Sequence, residues 1–319
     1  MLDVLSATVP IFLVVAVGFL GTRLGMFARE DMAVLNRFVV KIALPLLVFV
    51  NVSGRSFTEI FNPAYLLTYA VAALAMFAAA HAWVAARREP AMRAPYLGMA
   101  LGGTNNGFIG MAIFLIALPE VAGIAVGMDM VVDNVLIIPL TLFLAERVAH
   151  AGSGSALTTL TRSLRSVATQ PMVIAIVAAL LLNALGLTLP PVLDRSVHLL
   201  AQASSGVALF AIGGLLVGLR MGGMLGDVLF AVGGKLLVMP ALAWGLVLAF
   251  EAIGLPPMPT ELKAAAVITA ALPTFSIVPA FASRHGEGDW ATVSTLGGTV
   301  VSFVTLTAWM GLLKVAGWL

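Results

Sequence analysis

The sequence predicts an all-α polytopic membrane protein with ten transmembrane helices in an inverted 5+5 repeat. Three observations support this fold class. Of the 319 residues, 61% are hydrophobic and only 10% are charged, whereas soluble domains carry about 25% charged residues. Apolar windows of about 20 residues recur ten times along the chain. Two of these windows are interrupted at matching positions of the two halves, which is typical of transporters.

The first five windows cover about 4–22, 33–53, 63–86, 95–118 and 121–145, and the second five cover about 168–187, 194–219, 228–252, 262–283 and 290–317. The longest polar break lies at 147–165 and predicts a cytoplasmic linker between a first repeat, 1–146, and a second repeat, 166–319. Because each half contains an odd number of spans, two halves with the same fold must sit in the membrane in opposite orientations.

Basic residues predict the orientation. Loops that follow odd-numbered spans carry eleven Lys and Arg residues, against three in the other loops. Since short cytoplasmic loops are enriched in Lys and Arg, we expect the odd loops to be cytoplasmic and both termini to lie outside. The expected location is the inner (plasma) membrane, crossed many times.

Several classes of function are excluded. The chain has no cysteine, so it has neither disulfides nor thiolate chemistry. It has no nucleophile-elbow or phosphate-loop motif, and its four histidines form no ligand pair. We therefore expect no enzyme activity, no metal site and no resident cofactor. A net charge of +2, with basic residues confined to short loops, also argues against nucleic acid as a partner.

The break in span four lies between Gly102 and Gly110. Asn105 and Asn106 stand in its middle, flanked by glycines that helices disfavour by about 1 kcal/mol each. The amides could bind a carboxylate, and freed N–H groups around Gly107 and Gly110 would begin a half-helix that attracts anions. The alternative is a close-packed glycine interface whose amides bond a neighbouring helix.

The break in span nine contains Pro273 and Pro279, six residues apart, each of which removes a helical hydrogen bond. Thr274 and Ser276 could satisfy the carbonyls that are set free. The alternative is a kinked helix, which is common in membranes. Because span four has a matching break, the sequence favours a binding site.

Three ionisable residues are predicted inside spans. Asp129 and Asp133 lie one turn apart on span five, and Asp133 is expected near the middle of the membrane. A buried carboxylate must be paired or protonated, so both are candidates for proton coupling or binding; a structural hydrogen bond is the alternative. Lys235 in span eight would either partner an acid or anion, or snorkel to the interface, as Lys41 is expected to do.

Five short motifs connect these features. They are Asn36-Arg37-Phe38-Val39 with Leu44-Pro45-Leu46-Leu47; Asn105-x-Gly107-Phe108-x-Gly110; Leu142-Phe143-Leu144 with Glu146; Lys235-x4-Pro240; and Ala270-Ala271-Leu272-Pro273 with Ile277-Val278-Pro279. In these motifs the chain resembles the auxin efflux carrier family, whose plant members export auxin and whose bacterial members carry small carboxylates.

The resemblance implies a fold of the sodium/proton-antiporter type, with two broken helices that cross. Spans 1, 2, 6 and 7 would form a scaffold that dimerises, and spans 3–5 and 8–10 would form a moving transport domain. Asn105 matches a substrate-contacting position, and Asp133 stands where plant members carry a glutamine in the binding site.

The resulting hypothesis is a secondary active or potential-driven transporter of small organic anions, malonate-, malate- or auxin-like, with elevator-type alternating access. H⁺ or Na⁺ could be the coupling ion. The alternative within the same fold is a Na⁺/H⁺ antiporter that uses Asp129 and Asp133. A membrane receptor or non-transporting scaffold is a further alternative, against which stands the lack of a soluble signalling domain.

Overall fold

The computed structural model describes residues 2–53, 62–149, 169, 171–218 and 224–319. Within these ranges all regular secondary structure is helical, apart from one isolated β-bridge. Most of the predicted 147–165 linker lies outside the described residues. So do Arg55, Arg162, Arg165 and Arg220, four of the residues that predict the orientation.

Fifteen α-helices make up the described chain. They are α1 (Leu2–Arg23), α2 (Arg29–Phe38), α3 (Leu44–Val52), α4 (Pro63–Arg87), α5 (Arg93–Gly102), α6 (Met111–Ala117), α7 (Ala122–Val132), α8 (Ile138–Ala149), α9 (Pro171–Ala184), α10 (Pro191–Leu215), α11 (Leu225–Gly233), α12 (Met239–Ala252), α13 (Thr260–Ala271), α14 (Val278–Ala282) and α15 (Gly288–Val315). A 3₁₀ turn, Ser283–His285, follows α14.

Wider π-helical turns join several of these helices. Val39–Ala43 joins α2 to α3, Asp133–Ile137 joins α7 to α8, and Gly234–Val238 joins α11 to α12. A fourth π turn, Asn106–Gly110, leads directly into α6. Because π turns inside helices are frequent at functional sites, it is notable that three of the four contain a residue predicted to act in the site.

Five helical stretches are long and apolar enough to cross a membrane. They are Pro63–Arg87, Ala122–Ala149, Pro191–Leu215, Leu225–Ala252 and Gly288–Val315. They coincide with the predicted spans three, five, seven, eight and ten. Every other predicted window also overlaps a helix, and the windows of spans four and nine overlap two helices each, separated by a non-helical segment.

The start of α4 shows how local sequence fixes a helix end. The side chain of Asn62 accepts a hydrogen bond from the backbone N–H of Tyr65 (3.0 Å), which satisfies one of the free donors at a helix start. Pro63 occupies the first helical position, where the missing N–H costs nothing. From this start α4 packs mainly on α5 and α12, and also on α7.

Two groups of helices pack mainly within themselves. In the first group α10 packs on α1, α2 and α3, and α9 packs on α3. Glycines set the spacing of α1 and α10, because a Cβ on Gly18 would collide with the backbone of Phe210 and one on Gly213 with the backbone of Val15. Small residues allow membrane helices to approach in this way.

The second group surrounds the two interrupted helices. α4 packs on α5 and α12, α11 packs on α15, and α13 packs on α12 and α15. The residues from Ala94 to Gly102 in α5 are all buried, as are those from Ala264 to Ala271 in α13. The two helices that carry the breaks therefore lie at the centre of the protein and not on its lipid-facing surface.

A charged cluster ties the ends of several helices in this group together. The Arg93 guanidinium pairs with three carboxylates, those of Glu89 (2.8 Å), Asp227 (2.6 Å) and Glu287 (2.9 Å). The indole N–H of Trp83 donates to Asp227, and that of Trp290 donates to Glu287. The cluster links α4, α5, α11 and the start of α15. It was not predicted, because its members come from segments far apart in the chain.

Replacing Arg93 with Gln should destabilise the protein. Three partly buried carboxylates would lose their shared cation and repel one another, at a cost of about 1–3 kcal/mol. We expect the melting temperature of the detergent-purified protein to fall by several degrees in a thermal-unfolding assay. Arg195→Gln, at an exposed position of α10, is the control and should melt like the wild type. An R93Q melting temperature equal to that of the wild type would contradict a structural role for the cluster.

Candidate functional site

The two interrupted helices meet at their breaks. Thr104 and Thr274 form an isolated antiparallel β-bridge, and the backbone N–H of Asn105 donates to the carbonyl of Pro273 (3.0 Å). The Thr274 hydroxyl donates to the carbonyl of Ala100 (2.8 Å). The two breaks singled out in the sequence are therefore in direct contact. Thr274 differs from expectation, since it satisfies a carbonyl of the other broken helix and not one of its own.

Glycines allow the two breaks to come this close. A Cβ on Gly110 would lie 2.7 Å from Cδ1 of Leu272, and a Cβ on Gly107 would collide with Leu44. The sequence had suggested that the N–H of Gly110 is free. It instead donates a hydrogen bond to the carbonyl of Asn105 (2.9 Å). Both glycines thus have the packing role that was the alternative interpretation.

Asp133 lies beside the break in span four. Its carboxylate accepts hydrogen bonds from the Tyr69 hydroxyl (2.6 Å), from Nδ2 of Asn106 (2.9 Å) and from the backbone N–H of Thr104. The Tyr69 hydroxyl also contacts the Thr104 hydroxyl (2.9 Å). The side chain of Asp133 is 1% exposed. This acid is therefore buried and directly bonded to the broken segment.

Asp129 has a different set of partners. The Tyr65 hydroxyl donates to its Oδ1 (2.9 Å) and the Thr269 hydroxyl donates to its Oδ2 (2.7 Å). The two hydroxyls are also 2.9 Å from each other. Tyr65 and Tyr69 lie one turn apart on α4, just as Asp129 and Asp133 lie one turn apart on span five. The result is a ladder of two Tyr–Asp pairs, in which Asp129 faces α13.

Lys235 is enclosed in the protein, with no exposed surface. Its ammonium lies 2.9 Å from the sulfur of Met239, which is a weak acceptor, and it is attracted electrostatically to Asp133 and Asp129. Of the two interpretations of Lys235, snorkelling to the interface is therefore wrong, because the protein encloses the side chain completely. Lys41, by contrast, is exposed on the protein surface, as expected of a side chain that can snorkel.

Several polar groups at the breaks have no hydrogen-bond partner in the described part of the chain. They include Nδ2 of Asn105, Oδ1 of Asn106 and the hydroxyl of Ser276. The first amides of the half-helix that begins at Asn106 have no intrahelical acceptor, as at any helix start. The Asn105 side chain makes no capping bond to them. The breaks thus offer buried donors, and one acceptor, that could bind a polar guest.

Three residues of the site, Tyr65, Tyr69 and Thr269, were not predicted from the sequence. A signal was present for the tyrosines, because the chain has only three and two of them share the i, i+4 spacing of the two aspartates. Thr269 had no such signal, since α13 contributes it through a contact between residues 140 positions apart in sequence. Of the ten predicted site residues, seven come together around the meeting point of the breaks: Asn105, Asn106, Gly107, Gly110, Pro273, Thr274 and Asp133. Ser276 belongs to the second break, and Asp129 and Lys235 have the separate contacts described above.

A helical protein with several helices able to cross a membrane, and with buried polar groups where two interrupted helices meet, has the architecture of a membrane transport protein. The chain matches the family described as "Membrane transport protein" over residues 3–310. It belongs to this family, which is the auxin efflux carrier family that its motifs resemble. It is a multi-pass membrane transporter and not an enzyme.

Two relatives illustrate the match. The chain is 28% identical over 320 residues to a Rhizobium meliloti (strain 1021) protein named "Putative malonate transporter", covering 98% of this chain and 97% of the relative. It is 26% identical over 209 residues to an Escherichia coli (strain K12) protein named "Uncharacterized transporter YfdV", covering 64% of this chain and 66% of the relative. The first alignment spans both breaks.

Thr274→Val should weaken the contact between the breaks. The substitution keeps the shape of the side chain but leaves the carbonyl of Ala100 without its donor. Side-chain hydrogen bonds between membrane helices are worth about 0.6–2 kcal/mol, so we expect a measurable drop in melting temperature in detergent. In the control, Thr307→Val, the lost bond is to a carbonyl of the same helix, and little change is expected. The structural assignment of Thr274 fails if both variants melt alike.

Proposed function

We propose that the chain is a secondary active or potential-driven transporter of small organic anions, such as malonate or malate. Auxin-like carboxylates belong to the same chemical class. The observation that carries this proposal is the set of unsatisfied polar groups buried where the two broken helices meet. The relative named for malonate, aligned over nearly the whole chain, supports the same class of substrate.

The substrate carboxylate would accept hydrogen bonds at the breaks. Asn105 contributes a buried Nδ2 that has no partner among the described residues, and Ser276 contributes an unpartnered hydroxyl from the other break. The amides at the start of the half-helix, at Asn106 and Gly107, have no intrahelical acceptor and would add the partial positive charge of a helix N-terminus. Pro273 and Thr274 would hold the second break in place.

Charge balance supports an anion as the substrate. The carboxylate of Asp133 lies beside the break, but the buried ammonium of Lys235 is attracted to it. Buried charges need compensation of this kind. The positive charge of Lys235 offsets part of the negative potential of Asp133 without a direct ion pair among the described residues, so the donors at the breaks remain available to attract a negatively charged guest.

Elevator-type alternating access would move this site across the membrane. In our proposal α1–α3, α9 and α10 form the scaffold, and α4–α8 with α11–α15 form the transport domain. The packing of each group within itself supports this division. The same proposal includes an inverted 5+5 repeat of sodium/proton-antiporter type, whose broken helices cross at the middle of the membrane. It also includes a homodimer formed through the scaffold, and termini that face outward from the inner membrane.

The geometry favours anion transport over Na⁺/H⁺ exchange. A cation site at Asp129 and Asp133 would need their oxygens to converge on a shared guest. The carboxylates instead accept hydrogen bonds from separate sets of protein donors. Lys235 also places a positive charge close to both acids, which opposes the binding of a cation.

Asn105→Ala should reduce malonate transport at least about tenfold. A hydrogen bond to a charged group contributes about 1.5–3 kcal/mol, and 1.4 kcal/mol corresponds to a factor of ten. The measurement is counterflow of radiolabelled malonate in proteoliposomes. Asn134→Ala is the matched control, because Asn134 is equally buried but donates to a carbonyl of its own helix. Unchanged counterflow in N105A would rule out the assigned site.

A second assay separates the two candidate functions. Proton release is followed with a pH-sensitive dye after Na⁺ is added to proteoliposomes in the absence of any organic anion. We expect no protein-dependent signal. A strong signal that disappears in Asp133→Asn would overturn the proposal in favour of Na⁺/H⁺ exchange.

A further inference from the structure

The contacts of Asp129 cannot all be hydrogen bonds if this carboxyl group is ionised. Three oxygen–oxygen contacts join Asp129, Tyr65 and Thr269: Tyr65 to Asp129 (2.9 Å), Thr269 to Asp129 (2.7 Å) and Tyr65 to Thr269 (2.9 Å). Each contact at hydrogen-bond distance requires one hydrogen between its two oxygens. The two hydroxyl groups supply one hydrogen each. An ionised Asp129 supplies none.

One hydrogen is therefore missing. If Tyr65 and Thr269 both donate to Asp129, no hydrogen is left for the contact between their own oxygens. Lone pairs would then face each other in a site where Asp129 has no exposed surface. A proton on Asp129 removes the conflict, because each of the three groups can then donate once and accept once in a closed ring. Since hydroxyl groups can reverse their direction, the ring can form in either sense.

The contacts of Asp133 lead to the opposite result. Two of its donors are N–H groups, from Asn106 and from the backbone of Thr104, and an N–H group cannot accept a hydrogen bond. The third donor is the Tyr69 hydroxyl, which can itself accept from the Thr104 hydroxyl. The Tyr69 hydroxyl also lies 3.3 Å from the carbonyl of Gly102, which is longer than a usual O–H···O bond, so its one hydrogen goes to the 2.6 Å contact with Asp133. The shorter contacts are then all satisfied with Asp133 ionised, and the positive charge of Lys235 favours that ionised form.

The ring also connects to the proposed substrate site. Thr269 lies in the last turn of α13, directly before the second break, and its carbonyl accepts from the N–H of Leu272 (3.2 Å). Leu272 in turn packs against Gly110 in the first break. A guest that shifts the breaks would therefore shift Thr269 and change the stability of the ring.

We propose that Asp129 carries the proton that is coupled to transport, and that it binds this proton in a ring with Tyr65 and Thr269. Asp133 stays ionised and orients Asn106. The titratable groups that interact with Asp129 are Tyr65 and Tyr69 from α4, Asp133 one turn further along its own helix, and Lys235 from the π turn between α11 and α12. The proton leaves the Asp129 carboxyl for water when the ring opens, and it returns from water when the ring reforms.

The protonation state can be measured without any substrate. Infrared spectra of the purified wild-type protein at pH 7 should show the C=O stretching band of a protonated carboxyl group. The band should be absent in Asp129→Asn and present in Asp133→Asn. A band that persists in D129N but disappears in D133N would overturn the assignment, and so would its absence in the wild type.

Transport measurements test the coupling, and this part rests on the proposed function. With the membrane potential clamped at zero and a pH gradient of one unit, one coupled proton drives about a tenfold malonate gradient. Asp129→Asn keeps a neutral hydrogen-bonding side chain, so the variant should retain malonate counterflow. Its ratio of internal to external malonate should fall to about one, the value expected without proton coupling. A gradient in D129N equal to that of the wild type would overturn the inference.

Two conservative variants separate coupling from folding. Thr269→Ser keeps the hydroxyl group of the ring and should retain proton-driven accumulation, whereas Thr269→Val removes the hydroxyl and should lose it while retaining counterflow. Equal accumulation by both variants would count against the ring. If the wild-type protein shows no malonate counterflow at all, the proposed function fails, while the infrared result still decides the protonation of Asp129.

Discussion

The hydrogen bonds between the two breaks are the interaction on which the rest of the structure depends. A hydrocarbon environment offers no partner to a free backbone N–H or carbonyl, so an interrupted helix is tolerated only where protein or water satisfies it. Here each break partly satisfies the other, through Asn105 and Pro273 and through Thr274 and Ala100. Neither break could persist alone at the centre of the protein, which is why the two must occur together.

This constraint explains why close packing and polar chemistry share one location. Gly107 and Gly110 leave room for Leu44 and Leu272, and the contact between the breaks then directs Asn105 and Asn106 into the interior. The packing interpretation and the binding interpretation of the glycine-rich segment are therefore compatible. The same enclosure forces charge compensation, because Asp133 and Lys235 would each be costly to bury without the other.

Sequence reasoning located the helices, both breaks and the buried acids, because apolar length, Gly and Pro content and isolated charges are local signals. It did not predict the partners of those acids. Periodicity shows that Asp129 and Asp133 share a face of their helix, but the rotation of that face toward Tyr65, Tyr69 and Thr269 depends on contacts between residues 64 to 140 positions apart. The Arg93 cluster was missed for the same reason, and the burial of Lys235 could not be distinguished from snorkelling by depth alone.

The two aspartates show how environment and not residue type assigns a role. They have the same side chain, lie one turn apart on the same continuous helix and are both fully buried, so neither position nor exposure distinguishes their roles. Their donors do. Hydroxyl partners can turn from donors into acceptors and so accommodate an added proton, whereas the N–H partners of Asp133 cannot. Asp133 lies at the break with fixed donors and a nearby cation, which suits a permanent charge that organises a binding site. Asp129 lies among hydroxyl donors that can reverse their direction, and there a bound proton allows every contact of the carboxyl group to be a hydrogen bond.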